Sequence, residues 1–275
     1  MRKYSKGGSQ IMTTVMDKQQ VLLSVLKKYD SLAVAFSGGA DSSFLLAAAH
    51  QALEENVMAV TAVSPIHSRR EKQAAISFVK RLGVRHILIK TDEMNMPEFI
   101  ANTKDRCYVC KKLMFREIAK AADAANISHI AHGANLDDLN DFRPGFKAAK
   151  EMGVFAPLID AGLSKADIRR LSQEMKLPSW NRPDMACLAT RIPYNTPISS
   201  ERLHIIEDAE EYLLSLGIST CRVRHHGDIA RIEVSPAEFD VIIRNRGQVI
   251  ENLKKIGFLH IALDLAGYMQ GSMNL

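Results

Sequence analysis

The sequence predicts an α/β fold in which helices cover both faces of a parallel sheet, followed by a small α+β domain. Three observations indicate this. Apolar runs with little polar alternation, such as 32–36 and 57–63, are typical of strands buried on both faces. Segments with helical spacing of apolar residues separate these runs. Beyond a proline-rich stretch, strands such as 230–234 alternate polar and apolar residues instead, which indicates a second domain.

Helices and strands alternate along the first part of the chain. Helices are predicted at 13–28, 42–54, 67–82, 110–126 and 165–176. Strands are predicted at 32–36, 57–63, 85–90, 129–133 and 154–159. In a parallel sheet of this kind, ligands bind beyond the carboxyl ends of the strands.

The second domain is predicted after an irregular stretch in which Pro178, Pro183, Pro193 and Pro197 break regular structure. It is expected to contain helices at 200–216 and 236–256, strands at 222–224, 230–234 and 260–265, and a turn near 226–228. We therefore divide the chain into a loose N-terminal tail (1–12), a large α/β domain (13–178), an irregular active-site linker (179–198) and a small α+β domain (199–275).

The composition is ordinary for a soluble globular protein, with 47% hydrophobic and 24% charged residues. No apolar run approaches the roughly 20 residues that span a membrane. The basic N-terminal stretch also lacks the continuous apolar segment of a signal peptide. We therefore expect a cytoplasmic protein without membrane association. The net charge of +5 is mild, and no run of Lys and Arg is interleaved with aromatic residues, so no stable nucleic-acid partner is expected.

The most informative stretch is the first apolar run, which stops at Ser37-Gly38-Gly39 and is followed at once by a helical pattern. Such a junction aims backbone N–H groups and the positive end of a helix dipole at one point, which suits a phosphate group. Two glycines let the backbone approach the ligand, and no Gly-Lys-Ser/Thr follows, so this is not a Walker A loop. An ordinary strand-to-helix turn is the alternative, although one glycine would usually suffice there. The predicted phosphate-binding residues are Ser37, Gly38, Gly39, Asp41, Ser42 and Ser43.

Carboxylates follow the fourth predicted strand, near the same edge of the sheet. Asp137 and Asp138 can hold Mg²⁺ beside a triphosphate, directly or through water. Arg143, a few residues on, can contact a phosphate with its guanidinium fork. A solvated acidic turn is the alternative, and the two interpretations have equal weight.

Four cysteines in a cytoplasmic protein are expected to be reduced thiols. Cys107 and Cys110 have the C-x-x-C spacing just before a predicted helix, and Cys187 lies in the irregular linker. A structural zinc site lacks a convincing fourth ligand, whereas three cysteines can hold a [4Fe–4S] cluster with one iron left open. Unconnected structural thiols are the alternative. Cys221, at the start of a strand, is expected to be an inert buried thiol.

Two arginines of the second domain are also candidates for ligand binding. Arg222 and Arg224 are two residues apart on a strand and therefore share one face. Glu210, in the preceding helix, can face them. Two arginines and a carboxylate suit a phosphate, or a phosphate with a metal ion. An ordinary exposed strand face is the alternative, and His225 and His226 are expected in the turn that follows.

The stretch Ser-Gly-Gly-x-Asp-Ser at 37–42 resembles the pyrophosphate loop (PP-loop) of the ATP pyrophosphatases, which split ATP between its α and β phosphates. Several stretches together resemble a narrower group, the LarE family of ATP-dependent sulfur transferases. They are FSGGADS at 36–42, NDFRPG at 140–145, CLATRIPY at 187–194, RVR at 222–224 and DIARIE at 228–233. The likeness extends from the first strand to the C-terminus.

This resemblance implies a Rossmann-like, HUP-type sheet and the use of ATP and Mg²⁺. It also implies adenylylation of a carboxylate of pyridinium-3,5-biscarboxylic acid mononucleotide, followed by conversion to a thiocarboxylate in nickel-pincer nucleotide biosynthesis. A homo-oligomer, with a hexamer as one form, is implied as well. The implied roles are Mg²⁺ or pyrophosphate orientation by Asp41, ATP binding by Arg143, substrate phosphate binding by Arg222, Arg224 and Glu210, and a cavity lining that includes Arg191 and Trp180.

Two branches of the family differ in their sulfur source. One sacrifices its own cysteine, five residues before the arginine that matches Arg191; that position is Ala186 here, and Cys187 follows it. In the other branch, three cysteines hold a [4Fe–4S] cluster that carries a transferable sulfide. Because Cys107 and Cys110 are also present, the resemblance favours the cluster branch, with Cys187, Cys107 and Cys110 as metal ligands and catalytic residues beside Asp41 and Arg191. The single-cysteine mechanism is the alternative.

Three other functions compete with this interpretation. A tRNA thiolase pairs the same loop with a cluster, but is expected to carry an RNA-binding module and a stronger basic surface. An ammonia-dependent ligase of the NAD or GMP synthetase kind has the loop without needing the cysteines. A non-enzymatic nucleotide-binding module is disfavoured because the complete Ser-Gly-Gly-x-Asp-Ser is present.

Overall fold

A computed structural model describes residues 14–140, 144–182 and 186–269. At its centre lies a four-stranded parallel sheet with the order β3-β2-β1-β4. The strands are β1 (Leu32–Ala35), β2 (Val57–Val63), β3 (Arg85–Lys90) and β4 (Ile130–His132). Helices surround this sheet, so the predicted α/β fold class is confirmed.

Helices of the first part are connected by short loops around the sheet. They are α1 (Val15–Leu26), α2 (Ala40–Leu53), α3 (Arg69–Leu82), α4 (Pro97–Ile100), α5 (Arg106–Asp123), α6 (Pro144–Glu151), α7 (Pro157–Asp160) and α8 (Lys165–Glu174). Side-chain caps fix several starts: Thr14 accepts from the amide of Asp17 before α1, and Ser164 accepts from that of Asp167 before α8.

The predicted fifth strand, 154–159, is wrong. Phe155 makes a single parallel bridge with Ala131 of β4, and the chain then turns into α7. Pro157 explains the difference, because its missing N–H and fixed φ suit the first position of a helix and not a sheet ladder.

A second sheet has the order β5-β6-β7, with β5 and β6 antiparallel and β6 and β7 parallel. Its strands are β5 (Cys221–His226), β6 (Ile229–Val234) and β7 (His260–Leu263), accompanied by the helices α9 (Ser200–Ser215), α10 (Phe239–Arg244) and α11 (Arg246–Ile256). The single helix predicted at 236–256 is wrong, since Asn245 separates α10 from α11. His225 and His226 lie in β5 and not in the turn.

Three of the four buried clusters among the described residues fill the space around the sheets. Consecutive residues of β1 point to opposite faces, so Val34 joins the cluster under α1, α2 and α8, whereas Ala33 joins the one under α5. A third cluster fills the interior of the C-terminal sheet domain. No helix among the described residues is both long and apolar enough to cross a membrane. The domain boundary that we place at 179–198 stays a prediction.

Candidate active site

The phosphate loop leaves the carboxyl end of β1 and turns directly into α2. Gly38 has φ +81°, and a Cβ there would lie 3.1 Å from the Cβ of Ala75 on α3. The turn therefore requires glycine both for its left-handed backbone and for its close approach to α3. Gly39 caps α2 without a side-chain hydrogen bond. This helix start consequently presents backbone N–H groups and its positive dipole end to an anion.

Three serines of the loop differ in their accessibility. Ser37 is exposed, and its Oγ lies 3.1 Å from that of Ser42, which is buried. Ser43 has no exposed surface, and its hydroxyl has no hydrogen-bond partner among the described residues. Ser37 is thus the hydroxyl of this set that solvent reaches, while Ser43 faces the interior in this conformation.

Asp41, in the first turn of α2, is held by groups from two other segments. Its Oδ2 accepts from Lys165 Nζ at 2.8 Å and from Asn135 Nδ2 at 3.3 Å. Asp137 accepts from the backbone N–H of Lys165 at 2.7 Å, so the predicted acidic segment is fixed at the same edge of the sheet. Lys165 thereby links Asp41 and Asp137. No sequence motif had pointed to this lysine.

Gly133, directly after β4, is a further position that the motifs missed. A Cβ there would lie 2.8 Å from the backbone nitrogen of Ser42. Any side chain would therefore push against the first turn of α2. A glycine at the end of a parallel strand was the available signal for this close approach.

The irregular linker reaches the phosphate loop through Arg182. Its Nη1 donates to the carbonyl oxygen of Gly38 at 2.7 Å. Trp180, two residues earlier, is 38% exposed and thus available to a ligand. Arg143, the predicted ATP contact, lies outside the described residues.

The thiols lie at the start of α5 and in the linker. Cys107 and Cys110 belong to the first turns of α5, so the expectation that they precede the helix is wrong. Cys187 caps a 3₁₀ turn (Leu188–Arg191), and it packs with Cys110 against one buried apolar cluster. All four cysteines, including the buried Cys221, are free.

Electrostatic interactions link the three thiols. Burial raises the pKa of Cys187, and the nearby Cys107 adds to that rise, whereas the positive charges of Arg106 and Arg191 lower it. The pKa of Cys110 is also raised, first by burial and then by Cys187. Burial therefore favours the protonated thiols of Cys110 and Cys187, and negative charge at one of them disfavours charge at the other.

A [4Fe–4S] cluster requires thiolate ligands, and the residue types here fit it, because Cys107, Cys110 and Cys187 are free thiols that interact electrostatically near Arg106 and Arg191. Within the described ranges, no group of three His, Cys, Asp or Glu side chains is positioned to hold a metal ion.

One arginine of the linker and one of the second domain are bound to carboxylates. Arg191 makes a two-point pair with Glu210, at 2.9 and 3.0 Å. Arg224 makes a similar pair with Glu233, at 3.0 and 2.7 Å, and Nη1 of Arg224 donates to the linker at the Thr190 carbonyl. Glu210 thus binds Arg191 of the linker directly. These pairs fix the linker to the second sheet.

Arg222 differs from Arg224 in its contacts. Its guanidinium lies 4.9 Å from the ring centre of Tyr268, and its Nη1 donates to the Cys221 carbonyl. Burial lowers its pKa, and the positive charge of Arg191 lowers it further. An anion is favoured beside two such cations.

Glu71, at the start of α3, connects the loop to these arginines. Burial raises its pKa, and Arg191 and Arg222 oppose that rise. The negative charge of Glu71 also raises the pKa of Arg182, which donates a hydrogen bond to the phosphate loop. A chain of charged groups therefore runs from the phosphate loop to the second domain. A single glutamate in a helix offered no sequence motif that singled it out.

Comparisons with known proteins agree with this arrangement. A family model described as a PP-loop domain matches residues 11–141. The chain is 35% identical over 264 residues to the pyridinium-3,5-bisthiocarboxylic acid mononucleotide synthase of Lactiplantibacillus plantarum, covering 96% of each chain. It is 36% identical over 259 residues to an uncharacterized protein of Synechocystis, covering 94% of this chain and 97% of the relative. An uncharacterized protein of Methanocaldococcus jannaschii is 30% identical over 241 residues, which is 88% of this chain and 92% of that relative.

These similarities cover nearly the whole of both proteins, and the loop between β1 and α2 lies within the residues that the PP-loop family model matches. The resemblance read from the short motifs is confirmed at the level of the family. The chain belongs to the LarE family, the ATP-dependent sulfurtransferases of the PP-loop superfamily.

Proposed function

We propose that this protein adenylylates a carboxylate of pyridinium-3,5-biscarboxylic acid mononucleotide and converts it to a thiocarboxylate. The observation that carries the proposal is that one linker contacts both functional parts. Arg182 of the linker donates a hydrogen bond to the phosphate loop. Cys187 of the same linker lies near the thiols of α5. The similarity to a pyridinium-3,5-bisthiocarboxylic acid mononucleotide synthase supports the choice of substrate.

In the first half-reaction, a substrate carboxylate oxygen attacks the α-phosphorus of ATP. The bond between that phosphorus and the bridging α,β oxygen breaks, and pyrophosphate leaves. The N–H groups at the start of α2 and the Ser37 hydroxyl hold the phosphates, while Lys165 holds Asp41 in position to orient Mg²⁺. Mg²⁺ would supply charge neutralisation on the phosphate oxygens. The protein contributes mainly positioning.

In the second half-reaction, a sulfur nucleophile attacks the acyl carbon, the bond to the AMP oxygen breaks, and AMP leaves. Cys107, Cys110 and Cys187 would hold a [4Fe–4S] cluster, which supplies a sulfide when bound. Arg106 and Arg191 stabilise negative charge at Cys187. Without a cluster, the Cys187 thiolate would attack the acyl carbon and form a thioester. Elimination, in which the Cα proton is lost and the Cβ–S bond breaks, would then release the thiocarboxylate and leave dehydroalanine at position 187.

Arg222 is the arginine that we assign to the phosphate of the mononucleotide, with Trp180 in the cavity lining. Arg224 and Glu210 support this site through their ion pairs with Glu233 and Arg191. We also propose a homo-oligomer, which light scattering of the purified protein tests directly.

The proposal predicts that Cys187→Ala abolishes sulfur transfer and leaves adenylylation intact, because the thiol acts only after pyrophosphate has left. Pyrophosphate release and the mass of the pyridinium product measure the two steps separately. Cys221→Ala is the matched control, since Cys221 is buried in the C-terminal sheet domain, and it should retain both steps. Full turnover by Cys187→Ala would contradict the scheme.

Iron and sulfide content after anaerobic purification separates the two sulfur sources. Iron and sulfide that are lost in Cys187→Ala and kept in Cys221→Ala support the cluster. An iron-free wild-type protein that completes one turnover, and in which Cys187 becomes lighter by one sulfur and two hydrogen atoms as it is converted to dehydroalanine, identifies the cysteine as the donor instead.

A further inference from the structure

Arg182 is a cation that touches the phosphate loop and has no assigned role. Its Nη1 donates to the Gly38 carbonyl at 2.7 Å. Within residues 14–140, 144–182 and 186–269, the side chain of Arg182 donates no other hydrogen bond. A guanidinium carries five N–H donors in a rigid fork. Most of its hydrogen-bonding capacity therefore remains for a ligand at the loop.

Positive charge exceeds negative charge around Arg182. Burial lowers its pKa, the neighbouring Arg70 lowers it further, and Glu71 opposes the change. The carboxylate at the start of α2, Asp41, is already bound by Lys165. Arg70 and Arg182 thus share one carboxylate neighbour, Glu71. They lie beside the start of α2, where the helix dipole places its positive end. A multiply charged anion would relieve this repulsion.

We propose that Arg182 binds the β- and γ-phosphates of ATP and then the leaving pyrophosphate. The Gly38 carbonyl holds the guanidinium at the loop before the nucleotide arrives, so little side-chain entropy is lost on binding. As pyrophosphate leaves, negative charge grows on its bridging oxygen, and a fixed cation there stabilises that charge. The inference deepens the proposed function and rests only on its adenylylation half.

The experiment measures binding of inorganic pyrophosphate, ATP and AMP to the full-length protein by titration calorimetry. Arg182→Gln should raise the Kd for pyrophosphate and for ATP by about 10- to 100-fold, as expected for loss of a charge-assisted phosphate contact. The Kd for AMP, which lacks the β- and γ-phosphates, should stay within about twofold. Arg182→Lys should fall between the wild type and Arg182→Gln, because it keeps the charge and loses the fork.

Arg170→Gln is the matched control, since Arg170 is an exposed arginine on α8 paired with Glu174, and it should bind all three ligands like the wild type. An unchanged Kd for pyrophosphate in Arg182→Gln would overturn the inference. An equal loss for AMP would also overturn it, because it would indicate a structural role. If Arg182→Gln fails to fold, Arg182→Lys decides the question by the same comparison.

This test is independent of the pyridinium substrate. A protein that binds pyrophosphate through Arg182 but never consumes the pyridinium mononucleotide would refute the proposed function and leave the inference standing. The opposite result, turnover of the mononucleotide with no effect of Arg182 on pyrophosphate or ATP, would refute the inference alone.

Discussion

At the scale of single residues, Glu233 is a buried carboxylate on which two arginines depend. It is 1% exposed, and it lies 2.7 Å from Arg224 Nη2 and 2.9 Å from Arg231 Nη2. Removing one partner of a buried ion pair leaves the other charge in a medium that solvates it poorly. The geometry of β5 and β6 thus makes this carboxylate a structural requirement of the second domain.

We predict that Glu233→Gln lowers the free energy of unfolding by about 3 kcal/mol, because a neutral amide cannot compensate the buried guanidinium of Arg224. Urea unfolding followed by circular dichroism measures the change. The control is Glu251→Gln on α11, which breaks an exposed pair with Lys255 and should leave the urea midpoint unchanged. Equal midpoints for Glu233→Gln and the wild type would contradict the assignment.

The arginine pair illustrates how far residue spacing can predict a site. The two-residue interval correctly placed Arg222 and Arg224 on one strand face. Their partners depend on the antiparallel register, in which Arg222 lies opposite Glu233 and Arg224 opposite Arg231. That register is set by the turn and by the buried faces of β5 and β6. Spacing within one strand carries no information about it.

At the scale of elements, Asn102 connects the helix that carries two cysteines to the linker that carries the third. It has φ +56°, is fully buried, and donates to the carbonyls of Pro193 and Thr196, each at 2.9 Å. Its Oδ1 accepts from Arg106, whose guanidinium stacks on the ring of Tyr194. We refer to Asn102 and its linker acceptors as the asparagine clamp. The clamp fixes Cys187 relative to α5.

We predict that Asn102→Asp destabilises the protein by at least about 2 kcal/mol, because it replaces buried N–H donors with a carboxylate that faces carbonyl oxygens. Hydrogen exchange of 192–198 should accelerate more than that of β1. Asn126→Asp is a matched control, since Asn126 also has a positive φ but is exposed, and its stability should change by less than about 0.5 kcal/mol. Unchanged exchange at 192–198 in Asn102→Asp would refute the clamp.

Element boundaries show where sequence patterns stop being informative. Helix α5 starts at Arg106, before the predicted 110, and Asp105 makes no side-chain capping bond there. Asp is a residue type that favours this position, so the sequence does carry a weak signal for the start, although no capping bond forms. The strand predicted at 154–159 rested on a short apolar run, and such a run does not by itself separate strand from helix. Pro157 instead begins α7 there.

At the scale of the whole molecule, one apolar cluster joins the two halves of the chain. Ile66 and Phe99 of the first half pack with Leu203 and Ile206 of α9. The linker contributes Ile192 to the same cluster, and Cys110 and Cys187 lie against it. The thiols therefore converge because the halves pack together. A sequence shows where the cysteines lie along the chain, but their proximity in space depends on contacts between distant segments.

The packed molecule also keeps two histidines neutral, which predicts sensitivity to acid. Burial, helped by Lys111, lowers the pKa of His67 and of His132 to about 4. Below pH 6.5 the unfolded chain binds these protons and the folded chain does not, so stability falls toward pH 4 by about 1.4 kcal/mol per pH unit for each histidine. His132→Gln should reduce this slope, because it removes one of the two buried imidazoles. Urea unfolding between pH 6.5 and 4 measures the free energy of unfolding at each pH. The same pH dependence in the wild type and His132→Gln would contradict the prediction.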